Sequence, residues 1–440
     1  MTLPEFDTAG VDSDSAQAGT TSADPDTDGD PGSDTYTEVD ESMEQSDDST
    51  ESTPEFLVET SKAAEEGDVS DGDASSLDVL ENEADPFVRR SGNQLFLHGK
   101  PFRFVGTNAF FLQPEIAYGN RQGVEETLDK AVALGMNMVR LWGFNEEVPE
   151  KDPAAIQLSP GEFKESSLVA LDEVIAAAKA RNLRVILPLI NHWNDYGGIP
   201  RYVEWCDCGA TNSDFYTNET MKEWYRSYAT MLISRVNTVT GISYRDEPTI
   251  LAWELGNELR DRGQNAQNLL AWHKEMATFL KNIAPNHLIA DGGEGYDDDV
   301  SLYPGLSNGF PVRGREGATF HRLAEIPEID LLSYHLYPMA WGLNLEKDVA
   351  IWIATHEAIA REANKVAYLG EFGLVEADLA RAEVFQRWLN SALVEHKSAG
   401  ALVWGVAYDA RPNRDGFNIY CPTDAETCAV LEEAAEQIVP

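Results

Sequence analysis

Apolar and polar positions along residues 86–440 repeat one pattern. A short run rich in branched and aromatic side chains comes first, then a few polar residues, then a longer stretch with apolar residues three and four apart. Eight of the short runs read as strands: FRFVGTNAF (102–110), MNMVRLWGF (136–144), RVILPLINHW (184–193), ILAWELGNE (250–258), HLIADGGEG (287–295), IDLLSYHLYP (329–338), VAYLGEFG (366–373) and ALVWGVAYD (401–409). Between them, stretches such as SSLVALDEVIAAAKARN and AQNLLAWHKEMATFLKNI carry helical spacing. The fifth crossover offers only ATFHRLAEI, and AETCAVLEEAAEQIV closes the chain as a helix. Apolar strands alternating with amphipathic helices predict a parallel sheet covered by helices. Eight such units predict a closed (β/α)8 TIM barrel. No Gly-x-Gly-x-x-Gly opens the first helix, which weighs against an open dinucleotide-binding sheet. Ahead of the first strand, SGNQLFLHGKPFRFVG reads as a hairpin leading into the domain.

Residues 1–85 break the pattern. They hold 27 Asp and Glu against the single Lys62, and so carry most of the net charge of -43. Rich in Ser, Thr, Gly and acid, with few aromatic residues, this segment is expected to be a disordered acidic tail. It reads either as a tether or as a simply solvated tail. Residues 86–440 keep an excess of acid, 49 against 32 basic residues. An acidic surface argues against nucleic acid as a partner and suits a protein held soluble in concentrated salt.

No apolar run is long enough to span a membrane. The start, MTLPEFDTAG, lacks the basic and apolar regions of a signal peptide. The four cysteines, Cys206, Cys208, Cys421 and Cys428, allow three pairings. No His accompanies either pair at zinc-ligand spacing, so no metal is expected. A Cys421–Cys428 disulfide is the more ordinary expectation, in keeping with an oxidising compartment.

In a TIM barrel the C-terminal strand ends open onto the site. Arg140 and Trp142 end the second run. Asn191, His192 and Trp193 end the third. Asn257 and Glu258 end the fourth, His335 and Tyr337 the sixth, Glu371 the seventh, and Trp404 lies in the eighth. Glu258 and Glu371 therefore meet across one barrel mouth, and such a pair suits glycoside hydrolysis. One carboxyl must be protonated to assist the leaving oxygen, and the other ionised to attack or to activate water. Glu254, four residues before Glu258, reads as a carboxyl satisfied deeper in the barrel.

The motifs LAWELGNE with Arg260 after it, SYHLYP with Trp341, and LGEFG resemble the strand-four, strand-six and strand-seven motifs of glycoside hydrolase family 5. The nearest likeness is to its endo-β-1,4-mannanases, and FVGTNAFFL, VRLWGFN and NHWNDYGG are similar to mannanase segments at the first three strands. The resemblance implies a retaining endo-β-1,4-mannanase, with Glu258 as acid/base and Glu371 as nucleophile. It implies that Asn257 bonds the sugar 2-hydroxyl, Arg140 supports the nucleophile, His335 and Tyr337 orient the site, and Trp404 floors the subsite of the attacked sugar. Trp142, Trp193, Trp341, Glu294 and Arg260 are candidates for outer subsites, and Asn191 is expected among the substrate-binding residues. The implied substrate is a β-mannan, with no cofactor, an extracellular location and a monomeric chain. A β-glucanase or an exo-acting β-mannosidase is the alternative within the family. Two departures stand out: His192 where these mannanases carry Asn, and the unfamiliar WCDCG.

Overall fold

The computed structural model describes residues 84–438, apart from 149, 263–265 and 376–379. The acidic tail expected over residues 1–85 therefore lies almost entirely outside the described residues. Eight parallel strands close into a barrel: β1 (Phe104–Asn108), β2 (Met138–Arg140), β3 (Arg184–Pro188), β4 (Ile250–Glu254), β5 (Leu288–Ala290), β6 (Leu331–Leu336), β7 (Val366–Phe372) and β8 (Gly400–Trp404). β8 pairs with β1 from Gly400↔Phe104 to Trp404↔Asn108, which closes the ring.

The helices after successive strands are α1 (Arg121–Ala133), α2 (Glu165–Ala180), α3 (Glu219–Ser234), α4 (Gln267–Ile283), α5 (Phe320–Leu323), α6 (Lys347–Glu362), α7 (Arg381–Leu389) and α8 (Ala425–Glu436). The weak fifth crossover is the four-residue α5, and most of that connection is loop. Asparagine caps begin two of the helices: Asn120 accepts from the Gly123 N–H at 3.1 Å, and Asn218 from the Thr220 N–H at 2.9 Å.

Strand alternation sorts the apolar residues into two cores. Val105, Val139, Val185, Leu332, Leu369 and Val403 face outward into the layer under the helices. Phe104, Met138, Ile186, Leu331, Tyr368 and Leu402 face inward and fill the lower barrel. An antiparallel sheet of Arg89–Ser91, Gln94–Leu97 and Lys100–Phe102, the hairpin expected from the sequence, adds Val88 and Leu95 to that inner core. Apolar residues thus fill the start of each strand's inner face, which leaves its far end free to carry polar groups.

Both cysteine pairs are disulfides, Cys206–Cys208 and Cys421–Cys428. Among the described residues no helix is long and apolar enough to cross a membrane.

Candidate active site

Arg140 ends β2 on its inner face and is fully buried. A buried guanidinium needs partners for all its donors. Its Nε donates to Glu254 at 3.0 and 2.8 Å, Nη1 to Asn108 Oδ1 at 3.1 Å and Glu371 Oε1 at 2.6 Å, and Nη2 to Asn257 Oδ1 at 2.8 Å. Burial opposes the charge, but Glu254 and Glu371 outweigh it and raise the Arg140 pKa above the usual arginine range. Glu254 is also bonded by the Tyr368 hydroxyl at 2.5 Å, so it is a satisfied carboxyl within the barrel, as its place in the strand suggests.

Two local irregularities aim the paired glutamates. On β7 the partners of Tyr334 and His335 are Leu369 and Glu371, so Gly370 is an extra residue, a β-bulge. Tyr368 faces inward and Leu369 outward. Were Gly370 an ordinary paired residue of the strand, Glu371 would fall with the outward set. A Cβ on Gly370 would lie 2.3 Å from Ser333 Oγ, so a side chain there would have to displace Ser333. Strand β4 ends at Glu254, and Glu258 lies beyond it in left-handed backbone at φ 55°. Simple alternation from Glu254 therefore does not set the direction of Glu258. A non-glycine residue in that region is strained, and such strain gathers at functional positions.

One carboxylate oxygen of Glu258, one of Glu371 and Nδ1 of His335 all lie within 4.8 Å of one another. Besides Arg140, Glu371 has the Tyr337 hydroxyl at 2.8 Å. Glu258 has the Trp193 indole N–H at 2.6 Å and His335 Nδ1 at 2.7 Å. Burial raises the pKa of both carboxyls, and it depresses that of His335, which is therefore neutral near pH 7. Glu371 touches a permanent cation, whereas Glu258 has only neutral partners in direct contact. Of the two, Glu258 is the better placed to hold a proton and Glu371 to stay ionised.

Asn257 is held at both ends of its amide: its carbonyl accepts from Arg140, and its Nδ2 donates to Asn191 Oδ1 at 3.0 Å. Asn191 in turn donates to the Asp195 carbonyl at 3.1 Å. Trp404 stacks on Phe110 with centroids 4.9 Å apart, Trp142 stands 6.1 Å from Trp404, and Asp415 accepts from the Trp404 N–H at 3.2 Å.

On the opposite side, Arg260 lies between the rings of Trp193 (4.7 Å) and Tyr296 (4.9 Å). It bonds Glu294 twice at 2.7 Å and Glu316 at 2.6 Å, and Arg262 also reaches Glu316. Burial and the nearby Glu258 push Glu294 up to about 7, against the pull of Arg260. His192, the departure noted in the sequence, is held down to about 3 by burial and Arg260, and its Nδ1 accepts the Arg260 backbone N–H at 3.4 Å.

These groups line a cleft of about 480 Å³ that is open to solvent. Glu258, Glu371, Asn257, Asn191, Tyr337, Trp142 and Trp404 all face it, as do the outer candidates Trp193, Trp341, Glu294 and Arg260. Arg140 and His335 do not line it. They sit beneath its floor, fully buried, and reach it only through the glutamates and Asn257. Sequence reasoning missed Asn108, Tyr368 and Phe110. Asn108 closes the first strand and falls under the same strand-end rule as Arg140. The inward alternation of β7 marks Tyr368. The contact of Trp193 with Glu258 has no signal in spacing.

Among the described residues two groups could hold a metal ion: Glu258, His335 and Glu371, and, after β5, Asp297 and Asp298 of the loop with His321 of α5. The first already has Arg140, Tyr337 and Trp193 on its oxygens. The second carries its own cations, with His321 2.5 Å from Asp297 and Arg322 paired to Asp298.

The model of the glycoside hydrolase family 5 beta-mannosidase-like family matches residues 85–387. Mannan endo-1,4-beta-mannosidase 1 of Arabidopsis thaliana is 33% identical over 368 residues, 78% of this chain and 88% of that protein. Among solved structures, the endo-beta-1,4-mannanase of Thermotoga petrophila superposes with a TM-score of 0.72 at 32% identity, covering 77% of each chain. The endo-1,4-beta-mannanase of Rhizomucor miehei gives a TM-score of 0.71 at 30% identity, covering 80% of this chain and 99% of its own.

Proposed function

From a chain that belongs to glycoside hydrolase family 5, we infer a retaining endo-β-1,4-mannanase that cuts internal bonds of mannan, glucomannan or galactomannan. The observation that carries the retaining mechanism is the approach of Glu258 and Glu371 oxygens to within 4.8 Å. Retaining enzymes hold their carboxyl groups about 5–5.5 Å apart, whereas inverting enzymes leave about 6.5–9.5 Å for a water molecule. Glu371 attacks the anomeric carbon as Glu258 gives its proton to the departing glycosidic oxygen. Water then attacks the glycosyl-enzyme, losing a proton to Glu258 and freeing Glu371.

Arg140 and Tyr337 keep Glu371 anionic between turnovers. His335 suits both states of Glu258: a neutral imidazole has one donor and one acceptor nitrogen, so Nδ1 accepts from the acid or donates to the carboxylate. Asn257 is oriented for the 2-hydroxyl, and the Trp404–Phe110 stack offers an apolar face to the C–H side of the attacked sugar. The aromatic-walled cleft, open to solvent, supports endo action. In this reading residues 86–440 are the catalytic domain and the enzyme acts on extracellular polysaccharide, its acidic surface suited to salt.

The test is a product assay on galactomannan, glucomannan, carboxymethylcellulose and mannobiose, with Glu371→Ala as control. The expected result is mixed oligosaccharides from both mannans, with retained anomeric configuration in the first product. Mannose released singly from chain ends would overturn endo action, faster cleavage of the cellulose derivative would overturn the substrate, and an inverted product would overturn the mechanism.

A further inference from the structure

Glu146, in the loop after β2, is buried and takes no part in the chemistry above. Its Oε2 accepts the Gly198 N–H at 3.2 Å, and its Oε1 is buried with no hydrogen-bond partner among the described residues. Its backbone N–H donates to the Tyr196 carbonyl at 2.8 Å. No Lys, Arg or His among the described residues pairs with it, and the titratable groups facing it are the phenols of Tyr202 and, on α3, Tyr228.

The turn it grips cannot slide. Gly197 has φ 96°, and a Cβ there would lie 2.6 Å from the Glu146 carbonyl carbon. Gly198 has φ 57°, and a Cβ there would lie 2.2 Å from the Trp193 carbonyl oxygen. Glu146, the two glycines and Trp193 are thus stacked in backbone contact, and Trp193 ends on Glu258.

We propose that Glu146 is a positioning residue: as a neutral carboxylic acid it clamps the Tyr196–Gly198 turn and through it holds Trp193 against Glu258. An ionised carboxylate there would have one N–H donor and a bare buried oxygen, an arrangement relieved only by opening the turn to water. Burial, the main influence on the group, pushes its pKa up to about 8 against the Gly198 N–H, which favours the neutral form near pH 7. The folded state therefore keeps a proton that the unfolded chain loses in the ordinary carboxyl range. Its contribution to stability is complete below that range and is lost as pH rises through about 8.

The consequence for catalysis rests on Glu258 being the acid/base. The full-length protein, Glu146→Gln and Glu146→Ala are compared from about pH 5 to about pH 10, reading melting temperature without substrate and kcat and KM on glucomannan. Gln supplies a neutral isostere that cannot ionise. The expected result is that its melting temperature falls less with pH than the wild type's. It is also expected to restore most of the kcat that Ala loses at neutral pH, and to extend the alkaline limb of kcat upward by about half a pH unit or more. Parallel melting curves for Gln and wild type would overturn the proposal, as would a Gln variant no better than Ala at neutral pH. Wild-type protein inactive on every mannan would instead overturn the proposed function, and the melting curves would still decide whether Glu146 is a neutral clamp.

Discussion

Two arginines in this barrel are each held between two glutamates, yet they relate differently to the cleft. Arg140 lies under the floor between Glu254 and Glu371, in direct contact with one of the paired carboxyls. Arg260 lies in the wall between Glu294 and Glu316, and it meets the other carboxyl's neighbourhood through the face of Trp193. The difference is one of burial and route. In the first cluster Arg140 and Glu254 are fully shut off from solvent and fix the charge of Glu371, which faces the cleft. The second touches the cleft and fixes a ring, which in turn donates one N–H to Glu258. One glutamate is thereby tied to a permanent cation while the other keeps only neutral partners, which separates an anion from an acid.

The severest way to break this contrast is at Glu371, the proposed nucleophile. Glu371→Ala is expected to lose at least on the order of 10⁴-fold in kcat on every substrate, because the covalent intermediate cannot form. Glu258→Ala should lose about 10²- to 10⁴-fold on mannan but much less on aryl mannosides whose leaving group needs no proton. Equal losses on both substrates would erase the distinction between the two carboxyls.

Arg140→Lys comes next. One ammonium cannot reach Glu254, Asn108, Asn257 and Glu371 together. A fall in stability of about 3–5 kcal/mol is expected, since a buried carboxylate loses its partner. Denaturant melts would show it, and a change below about 1 kcal/mol would mean that water enters to replace the guanidinium.

Trp193→Phe keeps a ring on Arg260 and removes the N–H from Glu258. About tenfold loss of kcat on mannan is expected. The N–H lowers the Glu258 pKa by favouring its ionised form. Its removal raises that pKa, so the alkaline limb of kcat/KM should move to higher pH; movement to lower pH would refute the contact. The smallest effect is expected from Arg262→Ala, since that side chain is 56% exposed. It should cost about 0–1 kcal/mol, and less at 1 M salt, where the Debye length is about 3 Å. The effect of Arg140→Lys should not change with salt.

The barrel, its strand order and the strand-end residues were legible because apolar runs and helical spacing are local signals of period two and 3.6. The wall around Arg260 was not: Trp193 comes from the connection after β3, Arg260 from that after β4, and Glu294 and Glu316 from opposite ends of that after β5, and only folding brings them to one guanidinium. The short α5 was faint for a related reason, since most of that crossover is loop with no period to read. Strand lengths were overestimated at most strands, at β2, β3, β4, β5 and β8 by four or five residues past the C-terminal end. The runs MNMVRLWGF and HLIADGGEG, for example, extend past pairing that ends at Arg140 and Ala290. Glu146 left no trace in the sequence, because a buried acid without a cation looks like any loop glutamate until its surroundings are known.

The extra residue at Gly370 also bears on how the active site can be moved or copied. A strand keeps count in twos, and Glu371 faces the cleft because one position in β7 is counted twice. Copying the glutamate three positions after an inward residue into a seventh strand without the bulge would deliver it to the helices, with the right chemistry on the wrong side of the wall. Deleting Gly370 here would restore plain alternation, in which Glu371 follows the outward Leu369 directly and still faces inward. An alignment with an unbulged strand must therefore open its gap at Gly370; without that gap it would pair Glu371 with a residue facing the helices.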